Sequence, residues 1–225
     1  LKDTENALKM ANSKLNLLSS VTRHDIMNKV MIGKSNLYLL RDIPFTAEQR
    51  RYFNMLSESL RSIEEFIAFT RTYQELGVET PVWQDVEGIF MQAIDNIDPG
   101  EIIIDIQVTG VRVYADPLFP KVCYNLIENA IRHGKTVSRI TVSSIHTRAG
   151  LVIIVEDDGS GILNDEKSLI FERGYGKNTG YGLFISQGIL AITRIILNET
   201  GEPGVGARFE IIVPFGRFDE KKAES

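Results

Sequence analysis

The chain has 225 residues, with 25 Lys+Arg against 30 Asp+Glu and a net charge of -5. That length suits one large or two small domains, and 43% hydrophobic with 24% charged residues supports a packed core and excludes disorder. The single cysteine, Cys123, excludes an internal disulfide and a cysteine-rich metal site and fits a reducing cytoplasm, and no apolar run approaches the roughly 18 residues of a membrane span.

Charge is distributed unevenly, with 11 basic and 10 acidic side chains in residues 1–80 and 14 and 20 in residues 81–225. An acidic C-terminal portion is a poor electrostatic match for nucleic acid, which is excluded as a partner. Three histidines with no close pair argue against a helical zinc site. The chain opens at Leu1 in mid-pattern, so it is expected to be the cytoplasmic fragment of a longer protein, with any sensor or membrane segment upstream.

From Lys2 to about Arg41 the period is helical. Leu8, Ala11, Leu15, Leu18, Thr22, Ile26, Val30, Gly33, Leu37 and Leu40 follow spacings of three and four. The successive fours at Thr22, Ile26 and Val30 form a stutter in a heptad seam. Pro44 ends this helix and Thr46 is a good N-cap for the next. That second helix is predicted from about Ala47 to Glu75, with Phe53, Leu56, Leu60, Ile63 and Ile67 on its seam, and Gly77 and Pro81 stop it. Residues 1–80 are therefore expected to form an antiparallel hairpin. Two copies would make a four-helix bundle, because a lone hairpin buries only one face of each helix; a simple coiled-coil spacer is the plainer alternative.

After Pro81 the period changes. Val86–Ile97 reads as a helix, Ile102–Val108 and Val111–Ala115 as short strands around Gly110, and Pro117–His133 as a helix. Ile140–Ile145 and Leu151–Val155 read as a hairpin joined through Arg148-Ala149-Gly150. A glycine-rich segment from Asp157 leads to a helix from Tyr181 to about Thr193, then to strands at Ile195–Leu197 and Arg208–Val213. The fold class is α+β: the hairpin, then over residues 81–218 an α/β sandwich with helices on one face of a mostly antiparallel sheet. Residues 219–225 are expected to be a frayed polar tail.

Four segments carry residues suited to chemistry. His24 lies off the hairpin seam, with Asn28 one turn above it and Asp25 adjacent; Asp25 can bond one ring nitrogen and leave the other as a nucleophile. The plain alternative is an exposed surface histidine. In Asn125-Leu126-Ile127-Glu128-Asn129-Ala130-Ile131-Arg132-His133, the residues Asn125, Asn129 and Arg132 share a helix face. Side-chain carbonyls one turn apart suit a hard cation, although a merely polar face has the same pattern. Asp157-Asp158-Gly159-Ser160-Gly161-Ile162 follows a strand directly, so its carboxylate can accept from an exocyclic amine while the glycines let backbone approach a flat base. Gly174 to Leu183 is a glycine-rich loop feeding a helix N-terminus, which suits phosphate but is neither a Walker loop nor a dinucleotide fingerprint.

Taken in order, these motifs resemble the sensor histidine kinases of two-component signalling, from about Leu8 to Pro214. His24-Asp25-x-x-Asn28 is similar to the family's phosphoacceptor box, Asn125–His133 to its N box, and Asp157–Ile162 to its adenine-binding box. Phe171-Glu172-Arg173-Gly174 resembles the opening of the ATP lid and Gly180-Tyr181-Gly182-Leu183 the glycine box that closes it. The resemblance implies an ATP-binding domain of the histidine-kinase, chaperone and mismatch-repair ATPase type, with ATP and Mg²⁺ as ligands. It implies that Asn129, with Asn125 beside it, holds Mg²⁺, and that Arg132 and Lys177 lie near the phosphates. Asp157, with Gly159, Gly161 and Ile162, would read adenine, His133 would flank it, and Gly180, Gly182 and Leu183 would close the site. His24, oriented by Asp25 and assisted by Glu128, would take the γ-phosphoryl group and pass it to an aspartate of a response regulator. Asn28 would position water for dephosphorylation of that regulator. The homodimer would form through the hairpin. Where the family often has Gly-Thr-x-Phe, this chain has Gly206-Ala207-Arg208-Phe209, so one hydroxyl contact is missing. Three other readings share parts of this pattern: a mismatch-repair or chaperone-type ATPase, which needs neither His24 nor the hairpin; a nucleotide-binding scaffold; and a dedicated phosphatase.

Overall fold

The computed structural model describes residues 2–133, 136–175 and 180–220, with side chains from Ser19 onwards. Two compact units follow each other, Leu1–Arg71 and Thr72–Ser225.

The first unit is built from α1 (Lys2–Leu40) and most of α2 (Ala47–Glu75). The break at Pro44 and the start at Thr46 fall where sequence places them, and the start is a reciprocal capping box. Thr46 N donates to Gln49 Oε1 at 3.0 Å and Gln49 N to Thr46 Oγ1 at 3.2 Å. The Phe45 and Phe53 rings, 5.5 Å apart, pack beneath Arg50, whose guanidinium lies 4.8 Å from the Phe45 centroid. The two helices approach closely at Gly33, where an added Cβ would meet Leu60 Cδ1 at 3.0 Å, and Lys34 Nζ pairs with Glu64 Oε2 at 2.8 Å. The seam divides in two: Val30 and Ile67 are buried, whereas Ile26, Leu40, Leu56 and Ile63 are exposed.

Among its described residues the second unit holds two sheets, with three α-helices lying wholly within it. The main sheet has the order β2-β4-β5-β7-β6, formed by β2 (Ile103–Ile106), β4 (Arg139–Thr147), β5 (Gly150–Asp157), β6 (Ile196–Glu199) and β7 (Arg208–Pro214). All its pairings are antiparallel except β2 with β4. One face carries Ile140, Val142, Leu151, Ile153, Val155, Leu197, Phe209, Ile211 and Val213, all buried. Against it stand α3 (Val86–Asp95), α4 (Phe119–His133) and α5 (Gly182–Ala191), burying Phe90, Phe119, Leu126, Ile127, Ile189 and Leu190. Helices on one face of a mixed sheet are the α/β arrangement expected from the change of period.

Two features depart from the sequence reading. The strands flanking Gly110 belong to different sheets: β3 (Val111–Ala115) joins β1 (Val82–Asp85) and β8 (Phe218–Glu220) in a three-stranded sheet ordered β1-β3-β8. Asp219 and Glu220, assigned from sequence to a frayed tail, pair instead with Arg112 and Val111. The backbone ladder decides their conformation there, and His146 Nε2 meets Glu220 Oε1 at 2.9 Å.

Backbones crowd most tightly where the β6–β7 turn crosses the end of β5. Gly206, at φ +157, would carry a Cβ 1.8 Å from Asp157 O, while Gly204, at φ +83, faces open space. Gly206→Ala is expected to destabilise this unit by about 3 kcal/mol and Gly204→Ala by about 1 kcal/mol. Urea unfolding followed by circular dichroism checks both; equal midpoint shifts would refute the crowding argument.

Candidate functional site

His24 lies on α1 with its side chain 74% exposed, and Asp25 beside it is 71% exposed. Both polar neighbours address the same ring nitrogen: Asp25 Oδ1 lies 3.4 Å from His24 Nδ1, and Asn28 Nδ2 lies 3.3 Å from it. When protonated, Nδ1 donates to Asp25 and the lone pair resides on Nε2; when unprotonated, it accepts from Asn28. The first tautomer leaves Nε2 as a solvent-facing nucleophile. The i,i+4 spacing thus brings His24 and Asn28 together as sequence predicts.

In the second unit, α4 supplies the asparagine pair, and its two members do different work. Asn125 is buried, and its Nδ2 donates to Gly182 O at 3.1 Å and to Ser186 Oγ at 3.2 Å; Ser186 Oγ in turn donates to Gly182 O at 2.9 Å. Its Nδ2 is committed to bracing the first turn of α5, while the sequence expectation of Asn125 beside Asn129 at a cation concerns its Oδ1. Asn129, half-exposed, makes no side-chain hydrogen bond among the described residues. Its carboxamide oxygen suits a cation that takes one protein oxygen and keeps water and phosphate as its remaining ligands. Among the described residues no group of three His, Cys, Asp or Glu could hold a metal ion by itself. Glu128 and Arg132 are joined by an ion pair of 2.9 Å along the helix. His133 ends α4 exposed.

At the end of β5, Asp157 is 8% exposed and divides its two oxygens. Oδ1 accepts from Gly159 N at 2.9 Å and from Ala207 N at 3.2 Å. No partner of Oδ2 is found among the described residues, so it remains available as an acceptor. Burial pushes the carboxyl above the usual aspartate range against the pull of those two N–H groups, and the charges of Asp158 and Glu199 raise it further. The hydroxyl missing at Ala207 therefore does not leave Oδ1 unsatisfied, because the backbone N–H serves it. Asp158 is spent elsewhere: it accepts from Ser138 N at 2.8 Å, Arg139 N at 3.0 Å and Ser138 Oγ at 2.5 Å, which holds its carboxyl at about 2.

Gly161, at φ +63, lies so close to the β6–β7 turn that a Cβ would stand 2.6 Å from Glu202 O. Gly174 N donates to Gly180 O at 3.3 Å, pinching the loop, and a Cβ on Gly180 would lie 2.3 Å from Tyr175 O. Gly182 opens α5 and Leu183 and Ile162 are half-buried nearby in sequence to these turns. Lys177 lies outside the described residues. Sequence reasoning missed the Ser186 hydroxyl and the Ala207 N–H. A serine in the apolar run Gly182–Ala191 was a usable signal; a backbone donor leaves none.

Residues 116–217 match the histidine kinase-, DNA gyrase B-, and HSP90-like ATPase family. The chain is 26% identical over 212 residues to the probable C4-dicarboxylate sensor kinase of Bacillus subtilis, covering 86% of this chain and 36% of that protein. It is 27% identical over 184 residues to the adaptive-response sensory kinase SasA of Synechococcus elongatus, covering 73% of this chain and 46% of that one. It thus spans less than half the length of these relatives. Among solved structures, full-length ShkA in complex with AMPPNP superposes with a TM-score of 0.65 at 24% identity, covering 94% of this chain and 47% of that one. The Acinetobacter baumannii histidine kinase AdeS gives 0.57 at 18% identity, with 86% and 98% covered. The helical hairpin, the mixed sheet under three helices and the ordered motifs agree with these likenesses: residues 116–217 are an ATPase domain of the histidine kinase-, DNA gyrase B-, and HSP90-like family, and the chain as a whole is similar to sensor histidine kinases.

Proposed function

We propose that this chain is the catalytic core of a histidine kinase that phosphorylates His24 from Mg-ATP and passes the phosphoryl group to an aspartate of a response regulator. The observation that carries this reading is the arrangement of His24, with Asp25 and Asn28 both on Nδ1 and Nε2 turned to solvent, on a helix preceding an ATPase domain. The Nε2 lone pair forms the N–P bond as the bond between the γ-phosphorus and its bridging oxygen breaks, and the electron pair leaves with ADP. Asp25 offsets the positive charge that then develops on the imidazole. The protein's contribution is orientation and charge neutralisation.

Asp157 Oδ2 accepts from the adenine amine, with Gly159, Gly161 and Ile162 as backbone and apolar contacts to the base. The α5 N-terminus at Gly182, steadied by Asn125, presents N–H groups to the phosphates. Asn129 would hold Mg²⁺, which supplies neutralisation of phosphate charge. Arg132 serves the phosphates, and Glu128, its ion-pair partner, fixes the guanidinium. Lys177, His133, Gly180 and Leu183 complete the proposed nucleotide set. The exposed stripe of Ile26, Leu40, Leu56 and Ile63 supports a homodimer, since the same stripe on a second copy would cover it. Among the described residues no helix is long and apolar enough to cross a membrane.

Incubation with Mg²⁺ and γ-labelled ATP is expected to give an acid-labile, alkali-stable label that His24→Gln abolishes. Label persisting in that variant would overturn the assignment of His24. Absence of label with ATP binding intact would favour a scaffold or phosphatase. Asn28→Ala is expected to retain autophosphorylation and to slow loss of phosphate from the regulator at least tenfold, about 1.4 kcal/mol of barrier. Unchanged dephosphorylation would remove Asn28 from that step.

A further inference from the structure

Lys167 and Glu199 have no place in the chemistry above, yet they form a largely buried ion pair. Glu199 is the last residue of β6, where Leu197 and Glu199 turn inward and Ile196 and Asn198 outward. It therefore occupies a core-facing position, and its side chain is 0% exposed. Glu199 Oε1 accepts from Gly201 N at 3.0 Å and from Arg208 N at 3.3 Å. Oε2 has no hydrogen bond of good direction and faces Lys167 Nζ at 2.9 Å. Lys167, whose side chain is 21% exposed, also donates to Gly201 O. A carboxylate so enclosed is costly to keep ionised unless a cation offsets it.

The pair bears on Asp157 by two routes. The first is geometric: Glu199 Oε1 bonds both ends of the β6–β7 turn, and that turn carries Ala207, whose N–H meets Asp157 Oδ1. The second is electrostatic. Glu199 pairs in register with Phe209, which pairs with Val155, and Asp157 follows two residues later on the same face of β5. The acidic groups acting on Asp157 are Asp158, already held by Ser138 and Arg139, and Glu199. The Arg208 side chain is engaged on the opposite face, with Glu156 at 3.4 Å and Glu210 at 3.0 Å, so Lys167 is the cation that answers Glu199.

We propose that the Lys167–Glu199 pair is a positioning element for nucleotide recognition: it fixes the turn that delivers the Ala207 N–H to Asp157 and keeps Glu199 in place as the enclosed carboxylate that bonds both ends of that turn. This rests on the reading of Asp157 as the adenine acceptor. Asp157 must be ionised to accept most strongly from the amine, so each change of charge at the pair moves the pH at which binding fails. Removing the lysine leaves Glu199 without the cation that keeps it enclosed as a carboxylate, so the turn loosens, the Ala207 N–H is withdrawn and the Asp157 titration moves to higher pH. Removing the Glu199 charge moves it to lower pH.

The test uses the whole chain as wild type, Lys167→Met, Glu199→Gln and the double variant. The Asp157 carboxyl is titrated by carbon-13 NMR without nucleotide, and ATP binding is measured by calorimetry between pH 5 and 8. Lys167→Met is expected to titrate higher than wild type and to bind ATP about tenfold more weakly at pH 7. Glu199→Gln is expected to titrate lower, and the double variant to recover most of the affinity. A merely structural salt bridge would weaken binding in both single variants without moving the Asp157 titration in opposite directions. An unmoved titration, or a shift of the same sign in both, overturns the proposal. If Lys167→Met does not fold, Glu199→Gln and the double variant decide. Titrations that move as expected in a chain that binds no ATP would refute the adenine reading and leave the positioning relation standing.

Discussion

One carboxylate organises the second unit. Asp157 ends β5 buried, and a buried carboxylate needs donors. Gly159 N and Ala207 N supply them to Oδ1, which draws the loop after β5 and the start of β7 to the same point. The glycines follow from this convergence. At Gly206 a side chain would strike Asp157 O, and at Gly161 it would strike Glu202 O. With Oδ1 satisfied from within the protein, Oδ2 is the atom left for a ligand. Burial and backbone hydrogen bonds act on its protonation in opposite directions, with burial dominant. A rigid acceptor whose charge state is adjustable suits recognition of an amine on a flat base.

The candidate phosphoacceptor sits under different constraints. His24 is exposed on a long helix, and among the described residues it is held by Asp25 and Asn28 at distances above 3 Å. Those contacts are loose and each suits a different tautomer, so they do not immobilise the ring. The candidate phosphoacceptor therefore belongs to one unit and the candidate nucleotide site to the other. The hairpin's apolar residues divide as well. Val30 and Ile67 are covered within one chain, and Ile26, Leu40, Leu56 and Ile63 await another surface.

Sequence made the helices legible because their signals are local and redundant. A proline, a capping box and a sustained period gave α2 its observed limits, Ala47–Glu75. The strands β1 and β8, of four and three residues, are too short for an alternation to register, and only the ladder with β3 identifies them. That β2 pairs in parallel with β4 depends on a crossover no local pattern encodes. The site divides along the same line. His24 with Asn28 was readable because both lie on one helix. The commitment of Asn125 to Gly182 and Ser186, some 60 positions later, was not.

The account turns on Asp157 Oδ2 being the acceptor for the adenine amine. Calorimetry comparing ATP with purine ribonucleoside triphosphate, which lacks the exocyclic amine, tests this directly in the wild type and in Asp157→Asn. The account predicts that the wild type binds the amine-free nucleotide at least tenfold more weakly, about 1.4 kcal/mol for a lost charge-assisted hydrogen bond, and that the gap closes in the variant. Equal affinities of the wild type for the two nucleotides would contradict it.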